Sequence, residues 1–243
     1  MRVTTTLTRS ALLYRNQIAI KDSDGQWTWA EFLERVQKLS GSLNKLGVES
    51  QTPVAILMHN SHKYMELMYA TLWCGGIIVP LNTRLAPPEI IFQMNDCKTK
   101  LLIVDDAFLP MLKDFEGKLD TVDTTLYGGM GAAPDGMDSL DAMIERGKPI
   151  PNNTGSYDDT MGLFYTGGTT GRAKGVMLTH SSVMANTANA TMAFGYETSD
   201  TYLHVAPMFH LADAGNTWTM SLAGGTHAFI PGFTPDGTLK AIQ

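Results

Sequence analysis

The chain has 243 residues, of which 44% are hydrophobic and only 17% charged. That is enough apolar side chain for a large core and too much for a disordered segment. A formal net charge of −6, with no cluster of lysine or arginine, argues against a nucleic-acid partner, because phosphate backbones need a basic face.

No stretch reaches the roughly eighteen apolar residues of a membrane span, and Met1-Arg-Val-Thr-Thr-Thr lacks the apolar run of an export signal. Cys74 and Cys97 are too few for a disulfide framework and lack metal-ligand spacing, so a reduced, cytoplasmic protein is expected. The fifteen methionines are expected to fill gaps in the core.

Taken in chain order, Thr28 and Glu31 stand at capping-box spacing. Phe32, Val36, Leu39, Leu43 and Leu46 then recur at helical spacing until Gly47, which predicts a helix. Val54 to Met58 reads as a strand, followed by a helix through Tyr64, Leu67, Met68 and Leu72. Ile77 to Val79 and Leu101 to Val104 read as further strands, each followed by a helix, over Pro88 to Asn95 and Phe108 to Phe115.

The stretch from about Gly128 to Asp158 reads as loop. Within it, Gly129-Met-Gly-Ala-Ala-Pro134 has proline where a dinucleotide fingerprint needs its third glycine, so a surface turn is expected. Strands follow at Met161 to Tyr165 and Gly175 to Leu178, a helix at Ser181 to Phe194, a strand at Tyr202 to Ala206, a helix at Leu211 to Leu222 and a strand at Thr226 to Ile230. This alternation implies an α/β fold of parallel sheets with crossover helices. A first α/β subdomain is expected over residues 1–158, with a second beginning at 159–243.

The chemistry concentrates in Tyr165-Thr-Gly-Gly-Thr-Thr-Gly-Arg-Ala-Lys-Gly-Val176. Gly167, Gly168 and Gly171 permit backbone conformations that aim N–H groups at an anion. Thr166, Thr169 and Thr170 add hydroxyls, and Lys174 a compact positive charge on a flexible stem. The string is not the common nucleotide loop: Arg172 and Ala173 separate the last glycine from the lysine, and no hydroxyl residue follows Lys174, so a nucleotide hydrolase of that type fails on spacing.

With Leu178-Thr-His180 after it, this string resembles the signature of the adenylate-forming superfamily, which includes acyl-CoA synthetases, luciferases and peptide-synthetase adenylation domains. The family pattern usually has serine where this chain has Gly167 and proline where it has Ala173. Three other segments resemble the same family in the same order: Trp27-Thr-Trp-Ala-Glu-Phe32, Leu72-Trp-Cys-Gly-Gly-Ile-Ile-Val-Pro-Leu-Asn-Thr-Arg-Leu85 and Pro207-Met-Phe-His210. The second is a turn and strand in the family, so packing is expected of it. His180 is expected to order the start of a helix, whereas His59, His62, His204 and His227 carry no signal.

The resemblance implies the N-terminal part of an acyl-CoA synthetase-like large domain. It implies ATP-dependent activation of a carboxylic acid, a fatty acid by preference, to an acyl-adenylate and then a coenzyme A thioester. ATP, Mg2+ and coenzyme A are the implied cofactors. Thr166, Gly167, Gly168, Thr169, Thr170, Gly171 and Lys174 would hold phosphate, with Thr170 at the metal. Lys174 and His210 would act in catalysis, His210 by positioning the carboxylate or gating the acyl pocket. The family's adenine, ribose and C-terminal lysine sites have no counterpart in the chain, so a fragment inactive alone is expected, with a homodimer among the expected forms of its parent. A non-catalytic nucleotide-binding or scaffold module is the alternative.

Overall fold

Val54-Ala-Ile-Leu57, Ile77-Ile-Val79 and Leu101-Leu-Ile-Val104 are apolar on both faces, as strands covered by helices on two sides must be. A computed structural model, which describes residues 1–167 and 172–243, buries all three runs. They belong to β3 (Pro53–Leu57), β4 (Ile77–Pro80) and β5 (Leu101–Val104). With β6 (Thr124–Tyr127), β7 (Thr160–Thr166) and β8 (Lys174–Thr179) they form a six-stranded sheet of order β6-β5-β3-β4-β7-β8, parallel except for β8.

A second, four-stranded sheet has the order β2-β1-β10-β9. It is built from β1 (Ile18–Asp22), β2 (Gly25–Thr28), β9 (Thr201–His204) and β10 (Thr226–Phe229). The sheets therefore do not divide at residue 158: β7 and β8 complete the sheet begun by β3, whereas β9 and β10 pair with the N-terminal hairpin.

The helix predicted from Thr28 is α2 (Trp29–Lys45), and its capping box forms: Thr28 Oγ1 accepts from the Glu31 amide at 3.3 Å and Glu31 Oε2 from the Thr28 amide at 2.8 Å. α3 (His62–Trp73) and α4 (Pro87–Asp96) follow β3 and β4 as expected. Beyond β5 the predicted helix is split into a 3-10 turn, Leu109–Met111, and the short α5 (Leu112–Phe115). Pro110 at the start of that turn has no N–H to give a longer helix.

The stretch read as loop contains α6 (Leu140–Arg146), capped by Ser139 and burying Leu140, Met143 and Ile144. α1 (Thr4–Leu13) was not expected; its threonines are weak helix formers, and packing of Leu7 and Ala11 in the core outweighs them. α7 (His180–Phe194), α8 (Leu211–Ala223) and the exposed α9 (Pro235–Ile242) complete the chain.

Two cores result. One lies between the sheets, where Ile20, Trp29 and Phe229 meet Leu67, Val54 and Ile56; the other lies on the far face of the larger sheet, where Ile90 and Met94 of α4 cover Ala55, Leu57 and Val79. Buried Cys74 and half-buried Cys97 are free thiols. Among the described residues no helix is long and apolar enough to cross a membrane.

Candidate functional site

Adjacent strands β3 and β4 send their following helices to opposite faces of the sheet, α3 toward the inter-sheet core and α4 toward the outer one. The chain must diverge at their carboxyl ends, and in open α/β sheets that divergence is where a ligand cleft opens. β7 lies beside β4 and ends at Thr166, so the glycine-rich loop leaves from the same edge.

The smaller sheet brings its own carboxyl end across this cleft, fastened by Asn60. The Asn60 amide donates to the carbonyls of His204 at 3.1 Å and Ala206 at 2.7 Å, and its Oδ1 accepts from the Met208 amide at 2.8 Å. Three bonds from one 5% exposed side chain thus fix Pro207-Met-Phe-His210 against the larger sheet.

The cleft so formed has a volume of about 200 Å³; Asn82, Glu89, Thr166, Gly167, Ala173 and His210 contribute to its lining. Phe209 is a wall shared with a second cavity of about 360 Å³ that reaches His59, Arg84 and Phe233. The segment around Asn82 to Leu85, expected only to pack, therefore also lines both spaces.

Of the sequence-predicted site residues, the structure brings Thr166, Gly167 and His210 into one cleft. Lys174 opens β8 directly opposite Thr166, with its side chain exposed. His210 is the exposed N-cap residue of α8, its ring against that of Phe209 at 4.4 Å. Gly168, Thr169, Thr170 and Gly171 lie outside the described residues, and with them the expected metal contact at Thr170. Among the described residues no group of three histidine, cysteine or acidic side chains is placed to hold a metal ion by itself.

The histidines without sequence signal prove to be organised by acids. His59 Nδ1 lies 3.1 Å from Asp105 Oδ2; this hydrogen bond raises the imidazole pKa above its ordinary value against the opposing effect of burial. Its ring borders the second cavity. His62 pairs with Asp22 at 2.9 Å and stacks on Trp27 at 4.5 Å.

A buried relay runs behind His210. Asp213, in the first turn of α8, accepts from His204 Nδ1 at 2.7 Å; His204 Nε2 lies 3.0 Å from His227 Nδ1, and His227 Nε2 lies 3.1 Å from Ser221 Oγ. For a neutral His204 facing an ionised Asp213, hydrogen bonding fixes one direction throughout: Ser221 donates to His227, His227 to His204 and His204 to Asp213. Burial drives the His227 pKa well below its ordinary value, with His204 adding to the shift, so that ring stays neutral. The relay ties both ends of α8 to β9 and β10, and with α8 the position of His210. Spacing could not reveal it, because none of its members shares a local motif with the next.

The AMP-binding enzyme family model matches residues 7–243. The indoleacetate–CoA ligase of Aromatoleum aromaticum is 31% identical over 246 residues, taking in 100% of this chain and 48% of that protein. Among solved structures, the anthranilate CoA ligase AuaEII in complex with anthranoyl-AMP superposes with a TM-score of 0.92 at 24% identity, over 100% of this chain and 48% of that one. The inhibitor-bound N-terminal domain of FACL13 from Mycobacterium tuberculosis does so with a TM-score of 0.88 at 27% identity, over 99% and 60%. The chain spans about half the length of the curated relatives it matches.

Proposed function

Since the chain belongs to the family of AMP-binding enzymes, within the adenylate-forming superfamily, we propose that it supplies the phosphate-handling part of an AMP-forming acyl-CoA ligase. The observation that carries this reading is the meeting of the two signature segments in one cleft: Thr166 and Gly167 on one side, His210 on the other.

A carboxylate is a poor electrophile, because its charge is delocalised and oxide is a poor leaving group. In the proposed reaction a carboxylate oxygen attacks the α-phosphorus of ATP and the bond to pyrophosphate breaks. The thiol of coenzyme A then attacks the acyl carbon, its proton passes to solvent and AMP leaves. The first step depends on orientation and on stabilising charge as it moves onto pyrophosphate.

The Thr166 hydroxyl, the backbone amides from Gly167 to Gly171 and Lys174 are assigned to the pyrophosphate end, and His210 to holding the carboxylate at the cleft mouth. Magnesium would be held through the Thr170 hydroxyl and would add positive charge beside the departing pyrophosphate.

A fatty acid is proposed as substrate, on the apolar side chains of Val205, Pro207 and Phe209 that line the second cavity. The indoleacetate in the name of one relative makes an aryl acid the competitor. The chain by itself is proposed to be inactive, as it covers about half of such ligases.

ATP–pyrophosphate exchange with a panel of fatty and aryl acids, on the full-length protein and on this chain alone, tests the whole reading. Lys174→Ala is expected to cut exchange about 10²-fold to 10³-fold, on the order of 3 to 4 kcal/mol. Unchanged exchange would refute the phosphate assignment, and exchange with no acid in the full-length protein would leave the non-catalytic module as the better account.

A further inference from the structure

The glycine-rich hairpin leaves the larger sheet by two arms, and both arms rest on the same helix. On the outgoing arm, the Tyr165 hydroxyl donates to Asp96 Oδ2 at 2.7 Å and approaches the Gln93 carbonyl at 3.2 Å. On the returning arm, the Arg172 guanidinium lies over the Phe92 ring, 5.3 Å from its centroid. Phe92 and Asp96 are four residues apart on α4 and so share one face. Glu89 and Gln93 of the same helix line the cleft.

The hairpin is fitted to this arrangement. Tyr165 pairs with Gly175 in the ladder, and a Cβ at Gly175 would stand 3.1 Å from the Tyr165 ring, so glycine there leaves room for the ring to lie across the strand and reach α4. Burial, reinforced by Asp96, raises the Tyr165 pKa far above its ordinary value, so the hydroxyl keeps the proton it donates.

We infer that α4 is the dock of the phosphate loop, with Phe92 and Asp96 as positioning residues that hold Arg172 and Tyr165 and thereby set where the loop's amides and Lys174 stand. The inference rests on the phosphate-loop reading above. Neither anchor is among the residues that line the cleft: each acts through an arm of the hairpin. Arms gripped in this way hold both ends of the loop in place, and a fixed frame is what stabilisation of a departing pyrophosphate requires.

The test measures KM for ATP, KM for the acid and melting temperature in the full-length protein, by pyrophosphate exchange, for Phe92→Leu, Phe92→Tyr, Asp96→Ala and Lys174→Ala. Phe92→Leu is expected to raise KM for ATP about three-fold, the scale of an exposed cation–π contact. Asp96→Ala is expected to raise it about ten-fold, the scale of a hydrogen bond to a charged group. In both, KM for the acid and the melting temperature stay at parent values, and Phe92→Tyr, which keeps a ring for Arg172, restores KM for ATP. Adding Arg172→Ala to Phe92→Leu is expected to change nothing further, since the two side chains act as one contact.

The inference is overturned if Lys174→Ala weakens ATP use while Phe92→Leu and Asp96→Ala do not. It is overturned equally if the α4 variants raise both KM values and lower the melting temperature together, the mark of a merely structural role. If Lys174→Ala itself leaves ATP use unchanged, the phosphate-loop reading fails first and takes this inference with it.

Discussion

Acidification should loosen the protein at one identifiable joint, His180. The ring is fully buried at the start of α7; its Nδ1 accepts from the Val3 amide at 3.2 Å, while its Nε2 is buried with no partner among the described residues. An Nδ1 that accepts an N–H cannot carry a proton, so protonation breaks this bond and places a charge beside Arg2. Burial first, then Arg2, lower the His180 pKa from 6.5 to about 4.

In the unfolded chain the same histidine takes up its proton near pH 6.5. Below that pH the unfolded state binds a proton that the folded state refuses, so this stability is fully present above pH 6.5 and is lost as pH falls toward 4. Full displacement corresponds to about 3 kcal/mol, of which about 2 kcal/mol is gone by pH 5.

The assay is urea denaturation at pH 7.5 and pH 5.0 for the parent and for His180→Asn, whose Oδ1 can take the place of Nδ1 as acceptor without titrating. The variant should lose about 2 kcal/mol less than the parent over this interval. His227, also buried and neutral, contributes equally to both proteins and cancels. An acid loss as large in the variant as in the parent would show that His180 is not the group that titrates.

Other perturbations follow from particular contacts. Asn60→Ala removes three hydrogen bonds and orphans the groups they served, so it should cost about 3 kcal/mol in urea denaturation and depress pyrophosphate exchange through the loosened His210 segment; a variant of parental stability would contradict the bridge. Gly41→Ala would drive a Cβ into the Lys148 carbonyl oxygen, and a Cβ at Gly147 would likewise clash with the Lys38 carbonyl oxygen. A destabilisation of at least about 3 kcal/mol is expected, read as a large fall in melting temperature. Burial pushes the Cys74 thiol up to about 12 and the Cys97 thiol to about 11. Neither should react with a disulfide reagent at pH 8 in the native protein, and both should do so in urea; rapid native labelling would show that one of them is open to solvent.

What was legible in the sequence was whatever is local. The capping box at Thr28, the apolar runs of β3, β4 and β5 and the two strands that flank the glycine-rich string each state their structure within a few positions. The helix at Leu140 has a local signal as well, Ser139 before Leu140, Met143 and Ile144, but the glycines and prolines around it make the whole stretch read as loop. The pairing of β1 and β2 with β10 and β9 was not legible, because strands of the same alternating character could as well have extended the larger sheet.

The same limit explains why the residues that assemble the cleft had no signal. Asn60 acts on residues near 206, and Asp213 on His204 and Tyr202. A lone asparagine or histidine in sequence is ordinary; it becomes informative only when folding brings the carboxylate or carbonyl that completes it. In the proposed reading the glycine-rich hairpin carries the recognisable chemistry, while its two arms rest on α4 and the His210 segment opposite is held by Asn60. Substitutions at Phe92 should therefore disturb the handling of nucleotide and those at Asn60 or Asp213 the handling of the acid, although none lies within the glycine-rich signature, whereas changes on the exposed outer surface of α7, such as Met192, should disturb neither.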